Sequence, residues 1–295
     1  MPRSPRVKPR LVTDALLRRW PLPGPAKEGS KEQRGRALII AGAVEMPGAA
    51  ILASTAALRA GAGKVRVATA EKAALAVGTA VPELFLLAIA DGKRRASSLK
   101  TILDSAQKAD AVLIGPGMRD QDAIGTLLPE LLRIEDLGAL IVDATALSIA
   151  DKFLARPNNL AGKTIITPHA AEMAALCDLS VEEVERDSQP IAQEAARRFQ
   201  SIVVLKGAES VICSENGPAY LNKRGNVGLA TAGSGDVLAG ILVGLCARGT
   251  DPLRAATWAV ALHARAGENL ARRLGPIGYL AREIVDQIPL VMRQF

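Results

Sequence analysis

Aromatic residues are scarce in this chain: two Trp, two Tyr and four Phe among 295 residues. Base-stacking platforms are built from such rings, so the shortage argues against nucleic-acid binding. Cysteine is scarce too. Cys177, Cys213 and Cys246 lack the paired spacing of a zinc site, and an odd count suits a reducing compartment. The two histidines, His169 and His263, add no ligand motif. No uninterrupted apolar run is long enough for a membrane helix. The start, MPRSPRVKPR, is basic, but no apolar stretch follows it, so it does not read as a signal peptide. Long basic tracts are missing as well, Lys93-Arg94-Arg95 being the longest. A cytoplasmic protein that engages neither nucleic acid nor membrane is expected.

What is present is an ordinary globular composition, 49% hydrophobic and 23% charged. The net charge of +7 suits a phosphorylated small-molecule ligand. Residues 1–36 are rich in Pro, Arg and Lys, and Trp20-Pro-Leu-Pro-Gly-Pro sustains neither a regular helix nor a central strand. They read as an arm lying on the body or on a neighbouring subunit, disordered at its start. Residues 37–295 read as one domain.

Within that domain short apolar runs alternate with longer amphipathic segments. Strands are predicted at Ala37–Gly42, Val65–Ala70, Ala111–Gly115, Ala139–Asp143, Thr164–Thr167 and Ile202–Lys206. Helices are predicted at Ala49–Ala60, Asp120–Arg133 and Pro190–Phe199. This alternation implies an α/β fold with a mostly parallel sheet covered on both faces. Ser210–Cys213 and Ala219–Asn222 read as a hairpin around Asn216-Gly217. Helices at Gly235–Ala247, Pro252–Leu274 and Leu280–Met292 close the chain. Ligands of such sheets bind beyond the carboxyl ends of the strands.

The segment richest in chemistry is Ala230-Thr-Ala-Gly-Ser-Gly-Asp236, a glycine-bearing turn that runs into an apolar helix. Its free amides and the helix dipole suit anionic oxygens. Asp236 either deprotonates a hydroxyl that attacks a phosphoryl group, or the helix is simply capped by Ser234 or Asp236. Asp143, at another strand tip, either holds magnesium through water or caps the helix after that strand. Glu172 opens a helix, where an acidic residue favours the dipole. Lys206 is a point cation for phosphate or a solvated strand end.

Gly233-Ser-Gly-Asp236 resembles the anion-hole signature of ribokinase-like enzymes. Met46-Pro-Gly-Ala-Ala-Ile-Leu-Ala53, Ala60-Gly-Ala-Gly63, Gly115-Pro-Gly117, Thr167-Pro-His169 with Glu172-Met173, and Val204-Leu-Lys-Gly207 occur in an order and spacing similar to the NAD(P)H-hydrate dehydratase family. The resemblance runs from about Ala37 to the C-terminus and implies a three-layer α/β/α sandwich. It makes Asp236 the catalytic base and a substrate contact, beside Ala49, Gly117 and His169. Lys206, Gly207, Ala208, Glu209 and Ser210 would hold the adenine nucleotide, and Gly233, Ser234 and Gly235 its phosphates. Glu172 and Asp143 are candidates for contact with magnesium. The implied reaction dehydrates hydrated NADH or NADPH with ADP or ATP as phosphoryl donor. A small-molecule kinase of the same superfamily and a catalytically impaired nucleotide-binding homologue are the rival readings. A homo-oligomer and a separate epimerase chain are also expected, since 36 residues are too few for a fused epimerase domain.

Several positions depart from the family pattern. Ala26-Lys-Glu-Gly29 stands for His-Lys-Gly, Ala41-Gly42 for two glycines, and Thr145 for a second aspartate. Ala170-Ala171 stands for Pro-Gly, and Ala232 and Glu209 for glycines. An added methyl or charge near a phosphate is expected to weaken binding there.

Overall fold

The structure, a computed structural model, describes residues 8–24, 34–156 and 158–295. Among them ten strands form one sheet. They are β1 (Arg10–Leu11), β2 (Arg36–Ile40), β3 (Lys64–Ala70), β4 (Phe85–Ile89), β5 (Ala111–Ile114), β6 (Ala139–Val142), β7 (Thr164–Ile166), β8 (Ile202–Leu205), β9 (Ser210–Cys213) and β10 (Tyr220–Asn222). The helices are α1 (Asp14–Arg19), α2 (Pro47–Arg59), α3 (Glu71–Ala80), α4 (Arg95–Ala106), α5 (Gln121–Leu131), α6 (Asp151–Leu154), α7 (Ala170–Cys177), α8 (Val181–Arg186), α9 (Ser188–Arg198), α10 (Ser234–Ala247), α11 (Pro252–Leu274) and α12 (Ala281–Met292). The strand order is β1-β10-β9-β8-β7-β6-β5-β2-β3-β4, and β9 alone runs against the others. The three-layer α/β/α architecture is the one expected.

The pleat sorts the strand residues into two cores. Ala37, Ile39 and Ala41 face one helical layer, with α2, α10, α11 and α12, while Leu38 and Ile40 face the other, with α4, α5 and α9. Leu113 and Ile141 join the first set, Val112 and Leu140 the second. Strands buried on both faces read as continuous apolar runs, which is why these runs were visible in the sequence.

Two edge features were not among the predicted strands. β4 pairs with β3 at one end. At the other end β1 pairs with β10, and α1 comes next, with Thr13 capping it through Leu16 N–H at 3.2 Å. The described part of the arm therefore lies on the body. Val12, Leu16 and Leu17 join the first core, Trp20 stacks edge-on against Tyr220, and Trp258 donates to the Trp20 carbonyl at 2.7 Å. The start of the arm and the Ala26-Lys-Glu-Gly29 departure lie outside the described residues. The hairpin forms from β9 and β10, but the connection spans six residues rather than a tight Asn-Gly turn.

The two helices nearest the site are held together by a seam of small residues. A Cβ on Gly240 of α10 would stand 2.3 Å from the Ala53 carbonyl of α2, and one on Gly244 2.6 Å from that of Ala57. Only glycine permits this approach, which brings the N-termini of α2 and α10 over the same end of the sheet.

Candidate active site

The chain leaves β2 toward β3 and β4, then returns to β5 on the opposite side of β2. That reversal opens a crevice at the carboxyl ends, the usual ligand position in such sheets. The predicted site segments come after β2, β5, β6, β7 and β8, which are neighbours in the sheet. With strands about 4.8 Å apart, the row is roughly 19 Å long, enough for a dinucleotide-sized ligand.

At the β2–β5 end the predicted substrate residues Ala49 and Gly117 meet. Gly117 has a φ of +62°, and a Cβ there would stand 2.5 Å from the Ala49 Cβ and 3.1 Å from the Met46 carbonyl. The loops are also tied by Gly42 N–H donating to the Pro116 carbonyl at 2.8 Å. Thr145, one of the departures, has a definite partner: its hydroxyl donates to the Met118 carbonyl at 2.6 Å. It fastens the loop after β5 to the turn after β6. Thr145→Val removes that bond, worth about 1 kcal/mol. The expected result is a KM for the ligand of this crevice raised about fivefold with kcat little changed, read by steady-state kinetics.

At the β6–β8 end charge is concentrated. The Asp143 carboxylate is only 2% exposed. It does not cap the turn after β6, the alternative its position allowed. It accepts instead from the Thr167 hydroxyl at 2.6 Å and from Lys206 Nζ at 2.9 Å. Lys206 also lies 3.8 Å from Glu172. Burial works against its charge, but Asp143, Glu172 and Asp236 outweigh burial and hold the ammonium above its ordinary value. Glu172 Oε2 accepts from the His169 amide at 2.8 Å, while His169 Nδ1 accepts from the amides of Ala171 and Glu172. This reciprocal cap leaves Nε2 of the exposed His169 ring carrying the proton. Backbone pairing sets His169 beside Lys206, whose amide donates to Pro168 O at 2.8 Å.

The glycine turn faces this cluster. Gly233 is left-handed, with φ +86°, and it starts α10 with no side chain capping the helix. The capping reading of Ser234 and Asp236 is thereby set aside. The amides of Gly235 and Asp236 have no helix carbonyl behind them and suit a phosphate. A Cβ on Gly235 would stand 3.7 Å from Lys206 Nζ. Burial, then repulsion from Asp143, pushes the Asp236 carboxyl up to about 6 against the attraction of Lys206. A carboxyl so placed is a base suited to near-neutral pH.

Gly207, Ala208 and Glu209 form the exposed turn from β8 into Ser210 of β9. The Glu209 charge does not stand alone: Lys223 Nζ lies 3.1 Å from its carboxylate. The Ala232 methyl is in an exposed position. Sequence reasoning passed over His263, which sits in α11 against Ser234. The signal available was a histidine within the apolar, alanine-rich stretch Ala259-Val-Ala-Leu-His263-Ala.

A glycine turn with a half-buried aspartate, facing a strand-end lysine at the end of a mostly parallel sheet, defines a ribokinase-like α/β protein. The model of a family described as NAD(P)H-hydrate dehydratase matches residues 37–290. The chain belongs to that family. An ADP-dependent (S)-NAD(P)H-hydrate dehydratase of Xanthomonas campestris is 42% identical over 98% of this chain and 97% of its own length. A bifunctional NAD(P)H-hydrate repair enzyme of Moorella thermoacetica is 36% identical over 96% of this chain, which spans 54% of that protein. Among solved structures, an ADP/ATP-dependent NAD(P)H-hydrate dehydratase of Bacillus subtilis co-crystallized with ATP and Mg2+ superposes with a TM-score of 0.84 and 29% identity, covering 98% of this chain and 99% of that one.

Proposed function

We propose that this protein dehydrates the S epimer of hydrated NADH and NADPH, with ADP or ATP as phosphoryl donor. The observation that carries the reading is the half-buried Asp236 carboxyl at an uncapped, glycine-started helix whose Gly235 lies against Lys206. Hydroxide is a poor leaving group, and a phosphate ester leaves far more easily. Asp236 takes the proton of the ring hydroxyl as its oxygen bonds the terminal phosphorus, and the bond from phosphorus to the nucleotide oxygen breaks. The amides of Gly235 and Asp236 hold the developing charge, and Lys206 offsets more of it. The carbon–oxygen bond then breaks, phosphate leaves with the electron pair, a ring proton is lost, and NADH or NADPH results. With ADP as donor the other product is AMP.

Magnesium has no protein-only cage among the described residues, where no three of His, Cys, Asp and Glu gather as ligands. The donor set fits an ion carried by the nucleotide phosphates, with Asp143 or Glu172 reaching it through water. Bound there, it neutralises phosphate charge.

The test tracks near-ultraviolet absorbance of purified protein with hydrated NADH, magnesium, and ADP or ATP in turn. Return of the reduced-nicotinamide absorbance is expected, faster with ADP. A stable phosphorylated product would favour the kinase reading. Nucleotide binding without turnover would favour a non-catalytic homologue.

A further inference from the structure

The anion turn has a support that the proposed chemistry does not use. His263 Nε2, reaching from α11, lies 2.9 Å from the Ser234 hydroxyl and 3.1 Å from the Ser234 carbonyl. Ser234 is buried and is the first residue of α10, directly between Gly233 and the amides that face phosphate. A carbonyl can only accept, so the ring proton resides on Nε2, and the hydroxyl accepts from it as well. The imidazole is half-buried, and burial, with the field of Lys206 adding to it, holds its pKa down to about 4 despite the bond to Ser234. The ring therefore stays neutral and brings no charge to the phosphate site. The same helix steadies the approach to the turn, since a Cβ on Gly267 would stand 2.7 Å from Leu229.

We propose that His263 is a positioning residue for phosphoryl transfer, holding Ser234 so that the Gly235 and Asp236 amides and the Asp236 carboxyl meet the nucleotide in one fixed orientation. An α-helix that begins at a left-handed glycine with no side-chain cap is free to fray by a turn. One imidazole donating to the hydroxyl and the carbonyl of the first helical residue removes that freedom. Amides held in advance at the place where charge develops are worth far more than amides that must be ordered during the reaction. This inference rests on the proposed dehydratase activity for the turnover part of its test, but not for the binding part.

The test compares wild type with His263→Ala, His263→Gln, Ser234→Ala and the His263→Ala/Ser234→Ala double variant. Turnover of hydrated NADH and calorimetric affinity for ADP with magnesium are measured, with melting curves to confirm folding. The expected result is a kcat about tenfold or more below wild type for each alanine variant, with ADP affinity weakened severalfold. The KM for hydrated NADH stays within about twofold, because the Ala49–Gly117 end is untouched. The double variant is no worse than the poorer single one, since the two residues act as a unit. His263→Gln recovers most of the loss, its amide N–H reaching the same acceptors. Unchanged kcat and ADP affinity in folded His263→Ala overturn the proposal, as do additive losses or a fall in melting temperature alone. If His263→Ala does not fold, wild-type kcat and ADP affinity in Ser234→Ala overturn it. A wild-type protein that binds ADP without turning over would defeat the dehydratase reading and leave the ADP affinities to decide this one.

Discussion

Asp236→Asn is expected to abolish turnover and, at neutral pH, to stabilise the fold. The Asp236 carboxyl is raised from 3.8 to about 6, by burial first and then by Asp143, with Lys206 opposing. Between those two values the folded chain keeps a proton that the unfolded chain has released. Stability therefore falls as pH rises through this window, and above about 6 the full cost of the buried charge is present. That cost is roughly 2 kcal/mol at pH 7, after allowance for partial access to solvent. Asparagine carries no such charge, so the variant should melt about 5 °C above wild type at pH 7 and close to it near pH 4. Turnover should drop at least about a thousandfold with nucleotide binding retained. In wild type, kcat should decline as pH falls through about 6, where the base becomes protonated. Melting curves and rates from pH 4 to 8 check all three. A variant that melts below wild type at pH 7 would show that the carboxylate is a structural asset rather than a strained catalytic group.

Lys206→Met should produce the opposite stability change and an equally large loss of activity. The ammonium is the charge partner of Asp143 at 2.9 Å and of Glu172 at 3.8 Å. Without it the enclosed Asp143 carboxylate retains the Thr167 hydroxyl and faces Asp236 with no cation between them. Breaking a buried pair from one side costs about 3 kcal/mol or more, so the melting temperature should fall by roughly 8 °C. Removing the attraction that lowers the Asp236 pKa should move the acid limb of the rate profile upward. Adding Asp143→Asn should restore part of the stability but not the activity, since the lost cation is also the one offered to phosphate. A Lys206→Met protein as stable as wild type would show that the cluster is more solvated than its geometry implies.

The two experiments probe opposite members of one charge balance. Asp236 is held unfavourably and Lys206 favourably, one ammonium standing among three carboxylates. The departures at Thr145 and Glu209 do not upset this balance. Thr145 has found a backbone partner on the loop after β5, and Glu209 is paired with Lys223.

Much of this was legible in the chain. Strands buried on both faces announce themselves as unbroken apolar runs, and Ala37–Gly42 and Ala111–Gly115 could be read on that basis. The glycine turn before Asp236 was legible because a small-residue turn entering an apolar helix is a local pattern. Edge elements were harder. β4 covers one margin, and its partly exposed residues lack the burial pattern of the central strands. β1 has two residues, too few for a period.

The sequence by itself determined the succession of strands and helices, the family resemblance, and the residues that end each strand, because these depend on neighbours within a few positions. Only the tertiary structure decided which strand ends lie side by side. It paired Lys206 with Asp143 across 63 positions and Ser234 with His263 across 29. It also left Asp143 and Asp236 making no capping bond to the helices they adjoin. The physical reason is that crossover connections set sheet order, and close packing of Gly240 and Gly244 against α2 sets where α10 begins. Burial and the charges gathered there then decide the pKa of Asp236, and no local pattern in the chain records that sum.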